Sequence, residues 1–421
     1  MAFHLAELII LCLLADWTFR KLRLPGLVGM LAVGVLLGPY VLNHLSPELL
    51  AVGADLRLIA LVVILLRVGF ELSRATLHRV GGRVLLLAFI PATLEGVVIT
   101  LAAPRLLGLS LLESALLGSI VAAVSPAVIV PAMIGFIRRN MGAAKDIPSM
   151  VMASASVDDV FVIVAHSVLL GLYLGATANP LWQLAGIPVS LLLGGGVGLA
   201  IGALLCRWFD RHNPRATKRV LVVTALAILL LRLEQVLAAW VPFAGLVSAM
   251  AIGFAILERR EHMAHELSAK LAKIWVFAEI VLFAMVGAQV NVGVAWDAGL
   301  AGLAVIGIGL LARSLMVHLC LLGSRLNVAE RFFVMVSYFP KATVQAAIGA
   351  GPLLAMRAAG LDTGPGELIL AVAVLSIVVT APLGAWAIAF VGERVLEPAP
   401  VTVHDALDAA IESHAGEEDD L

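Results

Sequence analysis

Charge is scarce in this chain. Only 14% of its 421 residues are Asp, Glu, Lys or Arg, while 62% are hydrophobic, and the mean hydropathy of +1.05 lies far outside the range of soluble domains. That scarcity excludes a soluble enzyme, and no polar stretch is long enough to form a nucleic-acid-binding domain. A net charge of -1 gives no electrostatic reason to expect a nucleic-acid partner. Cysteine is equally sparse: Cys12, Cys206 and Cys320 lie far apart inside apolar segments, which excludes a disulfide framework or a metal knuckle. No cofactor is expected. The opening MAFHLAELIILCLLADWTFRKLR lacks a basic leader and a small-residue cleavage site, and its charges follow the apolar run, so it is expected to be a retained helix rather than a signal peptide.

Apolar windows of about 20 residues mark thirteen segments: near 4–19, 26–42, 57–71, 84–103, 111–136, 147–174, 186–207, 220–235, 241–257, 272–291, 298–323, 331–351 and 367–391. The chain therefore reads as an all-α polytopic membrane protein with thirteen transmembrane helices. Lys and Arg crowd the loops after odd segments, as at Arg138, Arg139 and Lys145 or at Arg211, Arg215, Lys218 and Arg219. The even loops hold only Arg57, Arg105, Arg232 and Arg357. Positive charge marks the cytoplasmic side, so the expected location is the cell (inner) membrane, with the N-terminus outside and the C-terminus inside. From about 393 onward an acidic tail follows, with Glu412, Glu417, Glu418, Asp419 and Asp420.

Segments 4 to 6 share features with segments 11 to 13. Segment 4 carries Glu95 and segment 11 carries Arg313, each a lone charge deep in an apolar run; segment 5 is interrupted at Ser125-Pro126 and Pro131, segment 12 at Pro340-Lys341. Proline removes a backbone donor and clashes with the preceding turn, so both helices are expected to break near mid-membrane. If segments 1 to 6 and 8 to 13 are six-helix repeats, the single segment 7 inverts the second. Broken helices at matching places in inverted repeats mark transporter sites, because their ends offer carbonyls to cations.

Asp158-Asp159 sits in the middle of segment 6, in MVMASASVDDVFVIVAHSVLLGLYL, roughly 15 Å from either end. One aspartate at a helix centre opposes insertion by about 2.5 to 3.5 kcal/mol even on the mildest scale. Two adjacent ones need water, protons or cations, so the pair points to transport of protons and small cations. The two side chains are about 100° apart and share a cavity without facing the same way. Sodium and lithium are hard ions that take oxygen ligands, and Asp158, Asp159, Ser125, Ser156 and freed carbonyls supply them. Glu95 and Arg313 are expected to clamp the two halves as an ion pair; the rival is that Arg313 pairs with Asp158 and releases it during transport. Lys341 is expected to compensate the negative ends of the broken helices, with direct pairing to an aspartate as the alternative. Arg67 and Glu71, four apart, are expected to satisfy each other. His166 reads as a satisfied bundle histidine, the other reading being a proton relay. An intramembrane aspartyl protease needs aspartates converging from two helices, which adjacent ones on one helix do not provide. The chain is not expected to be an enzyme.

The motifs VILLRVGFEL, PATLEG, AAVSPAVIVPAMI, ASASVDDVFVIVAH, FAMVGAQV, ARSL, YFPKATVQAAIGAGPL and VLSIVVTAPLG follow one another in the order of a known family. From about residue 55 to 391 the chain resembles the NHA branch of the cation:proton antiporter superfamily, the sodium/proton exchangers. The resemblance implies an NhaA-type fold. A dimerisation panel would be formed by 1–81 and 220–297, a core by 82–174 and 298–392, a linker helix and loop by 175–219, and a cytoplasmic tail by 393–421. It implies elevator-type alternating access in a homodimer, with Asp159 as the carboxylate that binds cation or proton and Asp158 as its neighbour. Arg313 falls where electrogenic relatives have a lysine, and Glu95 matches its acidic partner. Arginine does not release its proton in proteins, so a lysine-based release step does not transfer to this chain. Gln289 stands where an acidic residue is expected, with Glu279 ten residues earlier. The expected function is sodium/proton or lithium/proton antiport in a lipid bilayer; the alternatives are potassium/proton antiport, a sodium-coupled solute symporter on the same fold, and a non-transporting ion sensor.

Overall fold

Backbone donors in lipid must be satisfied within the chain, which leaves helices as the economical solution for long apolar segments. The computed structural model describes residues 2–22, 24–71, 82–174, 180–237, 241 and 243–398, and all named elements among them are helical. In chain order they are α1 (Ala2–Lys21), α2 (Gly26–Leu37), α3 (Pro47–Glu71), α4 (Arg83–Leu107), α5 (Leu111–Ala122), α6 (Pro126–Arg138), α7 (Ile147–Tyr173), α8 (Pro180–His212) and α9 (Ala216–Leu237). Then come α10 (Gly245–Arg259), α11 (Glu261–Gly287), α12 (Val292–Asp297), α13 (Gly299–Cys320), α14 (Val328–Ser337), α15 (Thr343–Ile348), α16 (Gly351–Ala358) and α17 (Gly364–Val395). The acidic tail with Glu412, Glu417, Glu418, Asp419 and Asp420 lies outside the described residues, as does the side chain of Glu71.

Each of the thirteen expected segments falls on helical residues, but the number able to cross a membrane differs. Among the described residues eight helical stretches are long and apolar enough to do so by length and composition, and one of these, Leu111–Arg138, includes its own interruption. The others fall short for physical reasons. Helices α2 and α10 have only 12 and 15 residues; α9 and α11 carry charges, among them Lys218, Arg219, Arg232 and Glu234 on the one and Glu261, Glu266, Lys270 and Lys273 on the other. The second interrupted segment is split into the short pieces α14 and α15.

The helices pack in two groups. In one, α2 lies between α1 and α11, α3 rests on α10 and α11, and α8 and α9 both pack on α10. In the other, α4 packs on α13, α5 and α7, while α7 also meets α5 and α6, and α17 backs α14 and α16. The groups meet through α7 on α8, α15 on α3 and α11, and α17 on α2. In lipid no hydrophobic force draws apolar helices together, so tight seats between small residues carry the association. A Cβ at Gly287 would lie 2.2 Å from the Leu31 carbonyl oxygen, and one at Gly34 would lie 2.1 Å from that of Ala284, so α2 and α11 touch backbone to backbone. On α8, Gly194, Gly198 and Gly202 seat the helix on α10 in the same way.

Helix α7, 27 residues long and so about 40 Å, is the spine of the second group. Both interrupted helices start at a capping box, Ser110 with Glu113 for α5 and Asn327 with Glu330 for α14. The two boxes are tied to opposite ends of α7. Glu113 accepts from the Tyr173 hydroxyl at 3.1 Å, and Glu330 accepts from Lys145, just ahead of the helix, at 2.7 Å. Helices α5 and α14 therefore enter from opposite ends of α7 and run toward its middle.

The α2–α11 seat makes a test. Gly287→Ala must displace backbone and is expected to lower the thermal midpoint, by about 1–3 kcal/mol of overpacking. Gly307→Ala on α13, where nothing lies within 4 Å of an added Cβ, is expected to be neutral or to gain a few tenths to about 1 kcal/mol in helix propensity. Equal thermal midpoints for the two variants in the same detergent would refute the close-packed seat.

Candidate functional site

The two interruptions meet at the middle of α7. The first leaves Ala123, Val124 and Ser125 outside helical geometry, and the second leaves residues from Tyr338 to Ala342 so. Their freed groups are largely satisfied by each other. Ser125 N donates to Pro340 O at 2.9 Å, Thr343 N donates to Ser125 Oγ at 3.3 Å, and the hydroxyls of Ser125 and Thr343 lie 3.3 Å apart. The amide of Gln345 donates to Ile120 O at 3.0 Å and to Ala123 O at 2.8 Å. Lys341 N is taken up by Thr380 Oγ1 of α17 at 2.9 Å. The expectation that both segments 5 and 12 break in mid-helix agrees with this geometry.

Five charges converge here: Glu95, Asp158, Asp159, Arg313 and Lys341, all buried. Arg313, on α13, bridges three groups. Its Nη1 donates to Glu95 Oε2 of α4 at 2.6 Å and also to the Ala122 carbonyl at the C-terminal end of α5. Its Nη2 donates to Asp158 Oδ1 at 3.0 Å. The guanidinium carbon stands 5.3 Å from the ring centroid of Tyr338, whose hydroxyl is hydrogen-bonded to Ser154 of α7. Arg313 is thus in contact with Glu95 and with Asp158 at the same time. The expectation for Lys341 is corrected. Its Nζ bonds Glu95 Oε2 at 2.8 Å, while the negative end of α5 is met by Arg313 and by Gln345, because the lysine chain is long enough to reach past the break to the carboxylate on α4.

The adjacent aspartates differ sharply. Asp158 has both oxygens engaged, Oδ1 by Arg313 and Oδ2 by Val124 N at 3.0 Å, so it serves as a fastener between α7, α13 and the first interruption. Asp159 makes no hydrogen bond among the described residues, and its Oδ1 is cut off from solvent without a partner. Two cations, Arg313 and Lys341, balance two carboxylates, Glu95 and Asp158. The charge of Asp159 is left over. An uncompensated carboxylate at this depth costs several kcal/mol, and a proton or a bound cation removes that cost.

Ser125 sits in the crossing as described. Ser156, one turn before Asp159 on α7, donates to Met152 O at 2.9 Å. The remaining deep charges lie apart in the first helix group. Glu279 of α11 is half-buried and interacts electrostatically with Arg20, Asp16 and Arg67; the proposed partner of Arg67, Glu71, has its side chain outside the described residues. Gln289 accepts from the buried Arg57 at 3.0 Å, so the neutral residue at that place still holds a cation. His166 Nδ1 is 3.0 Å from Ser119 Oγ, but its Nε2 is buried with no hydrogen-bond partner among the described residues, so the expected satisfied histidine is satisfied at one ring nitrogen and not at the other. Tyr338, Thr343, Gln345 and Thr380 escaped the sequence reading. For Tyr338, Thr343 and Gln345 the signal was present, since polar side chains flanking Pro340 in an otherwise apolar segment have freed backbone to serve; Thr380, forty residues later in α17, carries no such local signal.

The shared network around Arg313 makes a second test. Removing one member of a buried pair typically costs about 3–5 kcal/mol, so Glu95→Gln and Arg313→Gln are each expected to lower the thermal midpoint markedly. The double variant should lose less than the sum. Strict additivity in that cycle would mean that the two residues do not interact.

Comparisons with known proteins bear on the family and the fold. Residues 8–393 match the family described as "Sodium/hydrogen exchanger, transmembrane". Sodium/hydrogen exchanger 9B2 of Mus musculus is 30% identical over 397 residues, covering 93% of this chain and 72% of that protein. Sodium/hydrogen exchanger 9B2 of Homo sapiens is 31% identical over 380 residues, covering 89% and 70%. The fold is similar to that of the sodium proton antiporter MjNhaP1 from Methanocaldococcus jannaschii, with a TM-score of 0.79 at 22% identity over 94% of this chain and 98% of that one. With its mid-helix aspartates, its two crossing interruptions and a match over nearly its whole length, the chain belongs to the sodium/hydrogen exchanger family.

Proposed function

We propose that this protein is a secondary sodium/proton antiporter of the NHA branch, a transporter and not an enzyme, in which Asp159 binds either a proton or the alkali cation. The observation that carries the reading is the leftover charge of Asp159 beside a network whose other charges are paired. The exchangers this chain resembles are named for the same pair of substrates. Sodium, or lithium as a second hard monovalent ion, would take oxygen ligands from Asp159, with Asp158, Ser125, Ser156 and nearby freed carbonyls as further donors. Proton and cation cancel the same charge, so the occupancy of one opposes the other. Asp158 is held by an arginine that keeps its proton, which favours exchange of one proton for one monovalent cation.

Alternating access follows naturally from the two helix groups. The group of α4 to α7 and α12 to α17 carries the aspartates and is the candidate moving core; α1 to α3 with α9 to α11 is the candidate panel, through which a homodimer would form, and α8 links them in sequence. Their contacts run through few helices, as an NhaA-type elevator requires. The N-terminus is assigned to the outside and the C-terminus to the cytoplasm on the distribution of Lys and Arg.

Asp159→Asn is expected to abolish exchange while leaving the fold intact, since the amide keeps the shape but neither takes up a proton nor supplies charge. Asp158→Asn should be milder. Proton flux driven by sodium at wild-type rate in reconstituted Asp159→Asn would end the assignment. Competition gives a further expectation. Apparent sodium affinity should fall roughly tenfold per pH unit below the pKa of the site, where protonated carboxylate must lose its proton before binding. Sodium binding to purified protein at several pH values measures this, and an affinity independent of pH would mean separate sites for the two ions.

A further inference from the structure

Between α1 and the turn after α2, three side chains that suit a different class of ion come together. His4 and Glu7 are three residues apart on α1, a spacing that puts them on one helical face. The turn after α2 brings the third. Asn43 adopts a left-handed conformation at φ 48°, Asn43 N bonds Gly38 O at 2.8 Å, and His44 N returns to Leu37 O at 3.0 Å. His44 is thereby laid against α1. Its Nε2 stands 2.9 Å from Glu7 Oε2, its ring lies 5.4 Å from that of His4, and one donor atom from each of the three lies within 4.8 Å of the others. His4 Nδ1 is shut off from solvent and has no hydrogen-bond partner.

We propose that His4, Glu7 and His44 form a binding site for a divalent transition-metal ion of the zinc class. Two imidazoles and a carboxylate are a borderline donor set, poorly matched to sodium or calcium and well matched to zinc. Tetrahedral zinc with bonds of about 2.0–2.1 Å separates its ligand atoms by about 3.3 Å. The His44–Glu7 contact would open by a few tenths of an ångström, and His4 would close on them by side-chain rotation. Glu7 and His44 keep 32% and 46% of their side-chain surface exposed, leaving a way in and room for a water in the fourth position. Glu48, in the first turn of α3, interacts electrostatically with His4 and adds negative potential. A bound ion would tie α1 to the loop that joins α2 and α3, independently of transport at Asp159.

The test is a zinc titration of the full chain, purified in detergent and stripped with EDTA, against a chromophoric chelator. One tight equivalent in the wild type, weakened at least about tenfold in the His4→Gln/His44→Gln double variant, supports the site. Equal zinc affinity and stoichiometry in the two proteins overturns it, whichever other histidines then account for the binding. Zinc-free sodium/proton exchange by the variant serves as the folding control. Should the double variant fail to fold, His44→Gln alone, on a half-exposed loop position, is read by thermal midpoint. Zinc is expected to raise the midpoint of the wild type by selective binding to the folded state, and the same rise in His44→Gln rejects the proposal.

Discussion

Everything in the second helix group depends on the guanidinium of Arg313. It is planar, permanently charged and able to donate in several directions at once, and here it joins α13 to α4 through Glu95, to α7 through Asp158 and to the end of α5 through the Ala122 carbonyl. No lysine could make this three-way junction, since an ammonium lacks the fixed fork. The cost of burying one cation is offset by two carboxylates and a helix C-terminus, and the second cation, Lys341, balances what Glu95 still lacks. The buried network of Glu95, Asp158, Arg313 and Lys341 is thus neutral, and Asp159 stands outside it.

That exception is what makes the arrangement chemically useful. Adjacent aspartates on a helix point about 100° apart, so a neighbourhood that saturates Asp158 leaves Asp159 unsatisfied. The rigid part and the exchangeable part are neighbours in sequence and opposites in environment. The first interruption makes this possible, because a continuous helix would have no free Val124 N–H for Asp158. The mutual hydrogen bonds of the two interruptions, with Gln345 and Ser125 at the centre, keep the opened backbone from becoming a penalty in the membrane.

The first helix group solves a different problem. It carries few of the deep charges and is held by close glycine seats, α2 on α11 and α8 on α10. Such seats depend on shape alone, and shape is indifferent to the protonation of Asp159 or to the ion proposed to bind there. A frame insensitive to the exchanged ions is what a moving core would need beside it.

Sequence by itself determined the membrane class, the helical segments and the two mid-helix breaks, because hydrophobic length and proline chemistry are local properties. It also singled out the five converging charges, since each is costly in an apolar run wherever it lies. Which charge meets which was decided only by tertiary structure. Lys341 reaches Glu95 rather than the helix ends, Arg313 serves Glu95 and Asp158 together, and Gln289 finds Arg57; these partners lie between 155 and 246 residues apart. Nothing local encodes such distances. Asp158 and Asp159 have the same chemistry and nearly the same place in the chain, and only the packing of α5, α13 and α14 around α7 distinguishes the paired carboxylate from the unpaired one.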